Sequence, residues 1–454
     1  MIIPHWPIYT GPNKDFAGAI ERTKSILAKL GNPQNKMKNI IHITGTKGKG
    51  STALYISNIL LACGYKVNTY TSPHIFECNE RILINGKMIT DEELLEATEA
   101  VRYVCEEGEH KENPIEPAMF EAMTCSAFLL MSKHEADFNI IEVGMGAVND
   151  ATNVFDDNPP IACVFTPIHI DHKKFLGSSV EEVAYHKSFL MKRGVKNVIL
   201  SSQCKEAKQV IKDIASDLGI RNVYAYKEDY EAFLDEKTRQ PIYESETFDT
   251  CFPFAKPNMS GDYQLVNCAC AITTCLACQN DGIAEKLILD AINEGISKTI
   301  NIVRMQKITN EKIIKLLPKE SIFYVDGAHN QLASHALAEW IKEFKQNNQD
   351  FKIVVAVART KGADNEAFLK EFLEWNRPIT DLLIATRANL ESIPEPPEKI
   401  EEAGKNLGFY TTTAYTIKEV VEKTASIFKN SKVILICTGS LYIARDINVF
   451  MKHY

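Results

Sequence analysis

One short segment near the amino terminus constrains the fold of this chain more than any other. A β-branched run, Ile40 to Thr44, leads directly into a turn rich in glycine and lysine, and a helix-like pattern follows from Thr52 to Cys63. A strand, a glycine loop and a helix N-terminus in this order form a phosphate cradle, because backbone N–H groups converge there and the helix dipole adds positive potential. The sequence therefore predicts phosphate binding by the loop residues Gly45, Thr46, Lys47, Gly48, Lys49, Gly50 and Ser51.

The loop departs from the usual nucleotide-binding pattern G-x-x-x-x-G-K-[ST]. Ile43 stands where the first glycine of that pattern would fall, and Gly50 is inserted after Lys49. A glycine-rich hairpin with solvated lysines is the alternative interpretation, since short motifs recur by chance. The strand before the loop and the helix after it favour the phosphate site.

Composition narrows the class of protein. The 454 residues are enough for two or three domains, and 45% hydrophobic with 24% charged residues is typical of soluble globular proteins. The net charge of −8 argues against a general nucleic-acid binder. We find no secretory signal and no apolar run near the ~20 residues that cross a bilayer, so we expect a cytoplasmic protein without a membrane partner.

The twelve cysteines are scattered through the chain, which suits free thiols in a reducing compartment. Four of them, Cys268, Cys270, Cys275 and Cys278, lie close together in a small, apolar segment with helical spacing. We interpret them as buried helix cysteines rather than as a zinc site.

Strand-like runs alternate with helical patterns along the chain, which predicts βαβ units and a mainly parallel sheet. The predicted strands are Ile40–Thr44, Lys66–Thr71, Phe138–Val143, Ile161–Thr166, Asn197–Leu200, Ile322–Val325, Lys352–Val357, Asp381–Ala385 and Lys432–Cys437. The predicted helices after the first one are Asp91–Glu107, Glu116–Lys133, Val180–Lys192, Gln331–Gln346 and Asn365–Glu374.

The predicted fold class is α/β. A P-loop-containing, mainly parallel sheet domain in residues 1–299 is followed by a smaller Rossmann-like α/β domain in residues 300–454. The polar, proline-containing region Tyr226–Asn258 fits neither pattern and is predicted to be an insertion or a hairpin. Ile393–Pro397 is predicted to be an extended surface loop.

Polar side chains follow several predicted strands, where a parallel sheet places its ligands. Glu142 ends an apolar run, as a Mg²⁺-coordinating carboxylate would, and the pair Asp171-His172 follows the next strand. The alternatives are a strand-end acid that faces water and a loop histidine with local hydrogen bonds.

The second predicted domain also has polar side chains directly after a strand. Asp326 could accept a bond from a ribose hydroxyl and His329 could meet a phosphate or a carboxylate, whereas the alternative is an ordinary strand-to-helix turn with Asn330 as N-cap. Arg304 lies near the expected domain junction and could reach the γ-phosphate of a nucleotide. The alternative interpretation of Arg304 is an arginine exposed on the surface without a role in binding.

Taken in order, these segments resemble the folylpolyglutamate synthase/dihydrofolate synthase family, a branch of the Mur ligases. The motifs that carry the resemblance are HITGTKGKGS at 42–51, TSPH at 71–74, NERILING at 79–86, Phe120–Glu121, DFNIIEVGMGAVNDATN at 137–153, HIDHKKFLG at 169–177, Gly261–Asn267, Arg304–Gln306, DGAHN at 326–330 and TGSLY at 438–442. They span nearly the whole chain in the order of the family.

The resemblance implies an ATP-dependent amide ligase with ATP and Mg²⁺ as cofactors, small molecules as partners and a monomeric state. ATP would phosphorylate a carboxylate of a folate-type substrate, and the amine of L-glutamate would attack the acyl phosphate. The resemblance also implies roles for the residues that match the family's motifs. The catalytic residues would be Lys49, Lys187, Arg304 and His329. The metal positions are Ser72, Glu142, His172 and Lys187, and Lys187 matches the lysine that the family carbamylates. The nucleotide contacts outside the loop are Asn267, Arg304 and Asp326, and the substrate contacts are Phe120, Asp150, Ala151, His329 and Ser440.

Several residues depart from the family pattern, and some of them fall in segments expected near the acceptor, whereas Thr360-Lys361-Gly362 is expected in the cleft loop of the second domain. His186 replaces a glutamate next to Lys187, and the other departures are Ala118, Val148, Tyr263, Ile302-Val303, and Thr360 and Gly362 around Lys361. A ligase with a non-folate carboxylate acceptor and a catalytically silent nucleotide-binding protein therefore stay as alternatives. A P-loop kinase or GTPase is disfavoured by the loop spacing and by DGAHN in a second domain.

Overall fold

The computed structural model describes residues 18–74, 76–107, 112, 114–171, 173–259, 261, 263–300, 305–329, 331–376, 379–388 and 394–452. Two predicted site residues, His172 and Arg304, lie outside these ranges, as does Asn330. The chain divides into two compact units, which consist mainly of residues 18–258 with 263–300, and of residues 305–452. Within the described residues, no helix combines the length and the apolar character that crossing a membrane requires.

The first unit contains a large, mainly parallel sheet and a small antiparallel one. Its strands are β1 Ile40–Thr44, β2 Val67–Tyr70, β3 Ile82–Ile84, β4 Lys87–Met88, β5 Phe138–Glu142, β6 Ala162–Phe165, β7 Asn197–Leu200, β8 Asn222–Ala225, β9 Glu231–Leu234, β10 Pro241–Ser245 and β11 Thr250–Pro253. Among the described residues the large sheet has the order β4-β3-β2-β5-β1-β6-β7-β8, in which β3 and β4 pair antiparallel and the others parallel.

The central strands are buried along their whole length, as expected for a parallel sheet with covered faces. The helices of this unit are α1 Ala19–Lys29, α2 Lys49–Ala62, α3 Asp91–Glu106, α4 Met119–Lys133, α5 Lys173–Leu176, α6 Val180–Ser188, α7 Lys205–Asp217, α8 Tyr263–Asn280 and α9 Leu289–Lys298. Helices α1, α3 and α4 share one hydrophobic core with β2 and β5, and α6 and α7 share another with β6 and β7.

The region Tyr226–Asn258, predicted as an insertion or a hairpin, contains the three-stranded antiparallel sheet β11-β10-β9. Its third strand and the parallel strand β8 were not predicted. The four neighbouring cysteines are all buried in α8, which confirms their interpretation as helix cysteines.

The second unit is a smaller α/β sheet. Its strands are β12 Gln306–Lys307, β13 Ile322–Val325, β14 Lys352–Ala358, β15 Leu382–Thr386, β16 Thr411–Thr413 and β17 Val433–Thr438. Its helices are α10 Glu311–Ile314, α11 Gln331–Asn347, α12 Asn365–Asn376, α13 Pro397–Asn406, α14 Ile417–Ile427 and α15 Ile443–Lys452. The order is β12-β13-β17-β14-β15-β16, with only β12 antiparallel within the described part of the chain. The predicted α/β fold class is therefore confirmed.

Most predicted elements differ from the structure by a few residues at one or both ends; helix α4, for example, begins at Met119 rather than Glu116. Three of these differences have a clear local cause. Helix α2 begins at Lys49 rather than Thr52, because Gly48 adopts φ +83° and ends the loop there. Helix α6 ends at Ser188 rather than Lys192, where two successive turns replace helical bonding. In the predicted loop Ile393–Pro397, helix α13 begins at Pro397, a position that suits the fixed φ of proline, and Ile393 lies outside the described residues.

Candidate active site

Two glycines fix the shape of the phosphate loop. Gly45 has φ +144°, and a Cβ at this position would lie 2.0 Å from Thr166 Oγ1 and 2.7 Å from its carbonyl oxygen. Gly48 has φ +83°, and a Cβ there would lie 2.6 Å from Asn267 Oδ1. The loop is therefore packed between the end of β6 and the first turns of α8, and the predicted nucleotide contact Asn267 lies against it.

The segment after β6 holds the loop from one side. The Thr46 N–H donates to the Pro167 carbonyl at 2.9 Å, and the Thr46 hydroxyl donates to the His169 carbonyl at 3.1 Å. The His169 N–H in turn donates to Thr46 Oγ1 at 3.1 Å. These bonds fix the loop relative to the chain that leads into Asp171.

Two lysines converge on one carbonyl oxygen of the loop. Lys49 Nζ donates to the Gly45 carbonyl at 3.2 Å, and Lys187 Nζ, from α6, donates to the same oxygen at 2.9 Å. Lys187 is only 4% exposed. Burial and, secondly, the charge of Lys49 lower the pKa of Lys187 to about 7, although Asp171 and Asp150 oppose the shift. Lys187 is thus a buried amine that is partly neutral near pH 7.

A buried carboxylate lies beside the loop. Glu142 ends β5, pairs in register with Ile43 of β1 and is 3% exposed. Its Oε2 accepts a hydrogen bond from the Ser72 N–H at 3.0 Å. The Glu142 carboxylate and the side chain of Ser72 carry the oxygen atoms that Mg²⁺ prefers as ligands, so these residues fit the ion by donor type. The described residues contain no cluster of three or more His, Cys, Asp or Glu that could hold a metal.

Asp150 ends a buried chain of hydrogen bonds. Its Oδ2 accepts from the Met145 N–H at 2.8 Å, and its Oδ1 accepts from the Thr152 N–H at 3.0 Å and from the Thr152 hydroxyl at 2.6 Å. Because that hydroxyl proton points to Asp150, His42 Nε2, 2.9 Å from Thr152 Oγ1, must be the donor of their bond. Burial lowers the pKa of His42 to about 3, so the imidazole is neutral with its proton on Nε2.

The predicted acceptor residues come together above Gly144. A Cβ on Gly144 would lie 2.6 Å from Phe120 Cζ and 3.1 Å from Asp150 Oδ2. The Phe120 ring also stacks on Tyr70, with centroids 6.2 Å apart. Ala151 is buried and follows Asp150 directly in the chain. These three predicted residues thus lie near the strand end that carries Glu142.

The second unit brings its own predicted residues together. Asp326 accepts from the Ala328 N–H at 2.8 Å, which stabilises the turn after β13, and from the Met305 N–H at 2.9 Å, which ties the residue before β12 to the same turn. His329 Nδ1 donates to the Gly327 carbonyl at 2.8 Å. Ser440 Oγ accepts from the Tyr442 N–H at 3.2 Å in the turn after β17.

Sequence reasoning missed three residues that shape these sites. His42 orients Asp150 through Thr152, and Arg22 binds the buried Glu121 through two bonds of 2.8 and 2.7 Å. Arg359 connects three loops of the second unit. A polar side chain inside or directly after an apolar strand is the signal that marks His42 and Arg359. Arg22, on an ordinary amphipathic helix, carries no such signal.

Comparison with known protein families and curated proteins shows which family this chain resembles. The chain matches the Mur ligase middle domain over residues 43–275 and the C-terminal domain of dihydrofolate synthetase over residues 309–450. It is 30% identical over 447 residues to the dihydrofolate synthase/folylpolyglutamate synthase of Bacillus subtilis, covering 95% of this chain and 94% of that protein. It is also 26% identical over 456 residues to the dihydrofolate synthetase of Saccharomyces cerevisiae, covering 94% and 96%.

Solved structures agree on the fold. The FolC protein of E. coli, in complex with DHPP and ADP, superposes with a TM-score of 0.80 at 20% identity, covering 99% of this chain and 96% of that one. The sequence match to the Bacillus subtilis protein extends over both units of the chain and includes the phosphate loop. The chain therefore belongs to the folylpolyglutamate synthase/dihydrofolate synthase family of Mur ligases.

Proposed function

We propose that the protein is an ATP-dependent ligase that adds L-glutamate to a carboxylate of a folate-type substrate, in folylpolyglutamate synthesis, dihydrofolate synthesis or both. The observation that carries this proposal is the convergence of Lys49 and Lys187 on the Gly45 carbonyl, in a glycine loop that lies beside the buried Glu142. A lysine cation, a second buried lysine amine and a carboxylate at a phosphate loop suit the transfer of a phosphoryl group to an anionic acceptor.

The reaction has two chemical steps. An acceptor carboxylate oxygen attacks the γ-phosphorus of ATP, ADP leaves, and an acyl phosphate forms. The neutral amine of L-glutamate then attacks the acyl carbon, and the tetrahedral intermediate collapses to an amide as phosphate departs and the amine loses a proton. Both steps bring anions together, so cations that offset their repulsion lower the barrier.

The first unit would supply the nucleotide and metal contacts. Lys49 and the loop N–H groups from Gly48 to Ser51 hold the phosphates, with Asn267 beside Gly48, whereas the Thr46 and Lys47 N–H groups donate to the Pro167 carbonyl at 2.9 and 3.4 Å. Arg304 and Asp326 are the further proposed nucleotide contacts. Ser72, Glu142 and His172 would hold Mg²⁺, together with Lys187 once carbamylation turns its amine into an oxygen ligand. A bound Mg²⁺ would neutralise phosphate charge during the transfer.

The two substrates would meet different residues. Phe120, Asp150 and Ala151 are proposed for the acceptor, because the ring and the carboxylate lie together above Gly144. His329 and Ser440 are proposed for glutamate. A non-folate acceptor stays the second candidate, because Val148 replaces a family arginine two residues before Asp150. A monomeric state and a cytosolic location stay predictions from the sequence.

A screen of acceptors tests the proposal. Purified protein with ATP, Mg²⁺ and L-glutamate should release phosphate only when a carboxylate acceptor is added. Dihydropteroate, reduced folates and unrelated acids are compared, and product mass is measured. A gain of one glutamyl unit on a pteridine supports the proposal. Products from unrelated acids alone would favour the second candidate, and phosphate release without any acceptor would contradict ligation.

A further inference from the structure

Three loops of the second unit meet at one buried arginine. Arg359, the residue after β14, is 4% exposed. Its Nη1 donates to the His329 carbonyl at 2.7 Å and to the Gly439 carbonyl at 3.2 Å, and its Nη2 donates to the Asp364 carbonyl at 3.3 Å. These carbonyls belong to the segments that follow β13, β17 and β14, so one side chain connects the carboxyl ends of three neighbouring strands.

The order of the strands explains why an arginine is needed. Strand β17 lies between β13 and β14, so the outer two strands are about 10 Å apart at the usual spacing. A long side chain can span that distance, and the planar guanidinium presents five donors in a fixed fork. A lysine would keep the charge but carries its donors on a single nitrogen, so it cannot bond all three carbonyls with the same geometry.

The guanidinium is held on its remaining sides as well. It stacks over the Phe368 ring at 4.3 Å, and Nε donates to Asn365 Oδ1 at 3.4 Å. Among the described residues no carboxylate forms an ion pair with Arg359. Burial lowers the pKa of Arg359 to about 10 and the charge of Asp364 only partly offsets this effect, so burying the cation costs free energy of folding.

The loops that Arg359 connects also contact one another. The Gly439 N–H donates to the Ala328 carbonyl at 2.9 Å. Gly439 has φ +97°, and a Cβ there would lie 2.2 Å from the Ala358 carbonyl oxygen. The loop of His329 and the loop of Ser440 are therefore packed directly together, with Arg359 bonded to a carbonyl of each.

We propose that Arg359 is a positioning residue for glutamate: it fixes the loops that carry His329 and Ser440 in the arrangement that receives this substrate. The inference rests on the proposed function, which assigns these two residues to glutamate. Arg359 itself is not proposed to touch a substrate, since its donors are directed to three backbone carbonyls and to Asn365 Oδ1.

The variant Arg359→Lys tests the proposal, because it keeps the positive charge and removes the planar guanidinium whose N–H groups bond the three carbonyls. Hydrogen-exchange mass spectrometry should show faster exchange in residues 327–329 and 438–442 together, whereas Asp326 is held by its own N–H bond to the Cys437 carbonyl at 2.9 Å. Steady-state kinetics should show KM for glutamate raised about tenfold or more, with KM for ATP within about twofold of wild type. The control is Phe372→Leu. Phe372 lies in the buried core one turn of α12 after Phe368, so this variant loses packing but changes none of the residues that Arg359 bonds.

The control separates positioning from general destabilisation. Equal exchange and equal KM changes in Phe372→Leu would overturn the proposal, as would wild-type exchange in Arg359→Lys. Loosened loops with an unchanged KM for glutamate would refute the link to this substrate. If the wild-type protein ligates no glutamate at all, the proposed function fails, whereas the exchange result still decides whether Arg359 fixes the loops.

Discussion

Replacing Lys49 with alanine is expected to lower kcat for ATP-dependent glutamate addition by about a thousandfold. Lys49 is the first residue of α2 and its ammonium lies 3.2 Å from the Gly45 carbonyl, at the phosphate loop. Without it, the charge that develops on the transferred phosphoryl group loses its proposed cation. Within the described residues the Lys49 side chain donates to the protein only at the Gly45 carbonyl, and alanine favours helices, so the fold should persist.

The matched control is Lys205→Ala, which removes an exposed lysine from the first position of another helix, α7. It should turn over at the wild-type rate. Initial rates of phosphate release and product formation at saturating substrates measure both variants, and circular dichroism checks that they are folded. A Lys49→Ala rate within about threefold of wild type would refute the assignment of the loop.

Replacing Lys187 with arginine is expected to lower kcat by about a hundredfold and to abolish any response to bicarbonate. Carbamylation requires the neutral amine, whose nitrogen attacks the carbon of CO₂ and then releases a proton. Burial and the charge of Lys49 hold the pKa of Lys187 at about 7, below its usual 10.5, so the reactive form is available at neutral pH. Arginine stays protonated and cannot form a carbamate.

The direction of the pH effect follows from the lowered pKa. Lys187 is protonated below pH 7 and neutral above it, so CO₂-depleted enzyme should gain more activity from bicarbonate at about pH 8 than at about pH 6. Lys192→Arg, which changes a lysine paired with Asp156 at 3.2 Å near the same helix, should keep the full response. ¹³C NMR with labelled bicarbonate should show a carbamate signal in wild type and in Lys192→Arg but not in Lys187→Arg. Its absence from wild type would contradict the account.

The positions of the central strands and of the phosphate loop could be predicted largely from sequence, because β1, β5, β6 and β7 are buried along their whole length. Such strands appear as continuous apolar, β-branched runs with glycines or polar residues at their ends. The region 226–258 gave no such signal, since β10 alternates buried and more exposed residues and its neighbours contain prolines and polar side chains. Its three-stranded sheet was therefore not resolved into strands.

The site itself was harder to predict because its contacts join distant parts of the chain. Lys187 and Gly45 are 142 residues apart, and their contact depends on β6 lying next to β1 and on the packing of α6 behind it. The same holds for His42 with Thr152, which are 110 residues apart. Sequence motifs place each residue at a strand end or on a helix, whereas the hydrogen-bond partners follow only from the order of the strands.

The central claim is that the protein activates an acceptor carboxylate as an acyl phosphate before glutamate is added. The most direct test supplies an acceptor, dihydropteroate or a reduced folate, whose reacting carboxylate carries ¹⁸O, with ATP, Mg²⁺ and L-glutamate. The account predicts that each phosphate released with product carries one ¹⁸O from that carboxylate, as measured by mass spectrometry. Phosphate that contains no acceptor oxygen, released while glutamate is added, would contradict it.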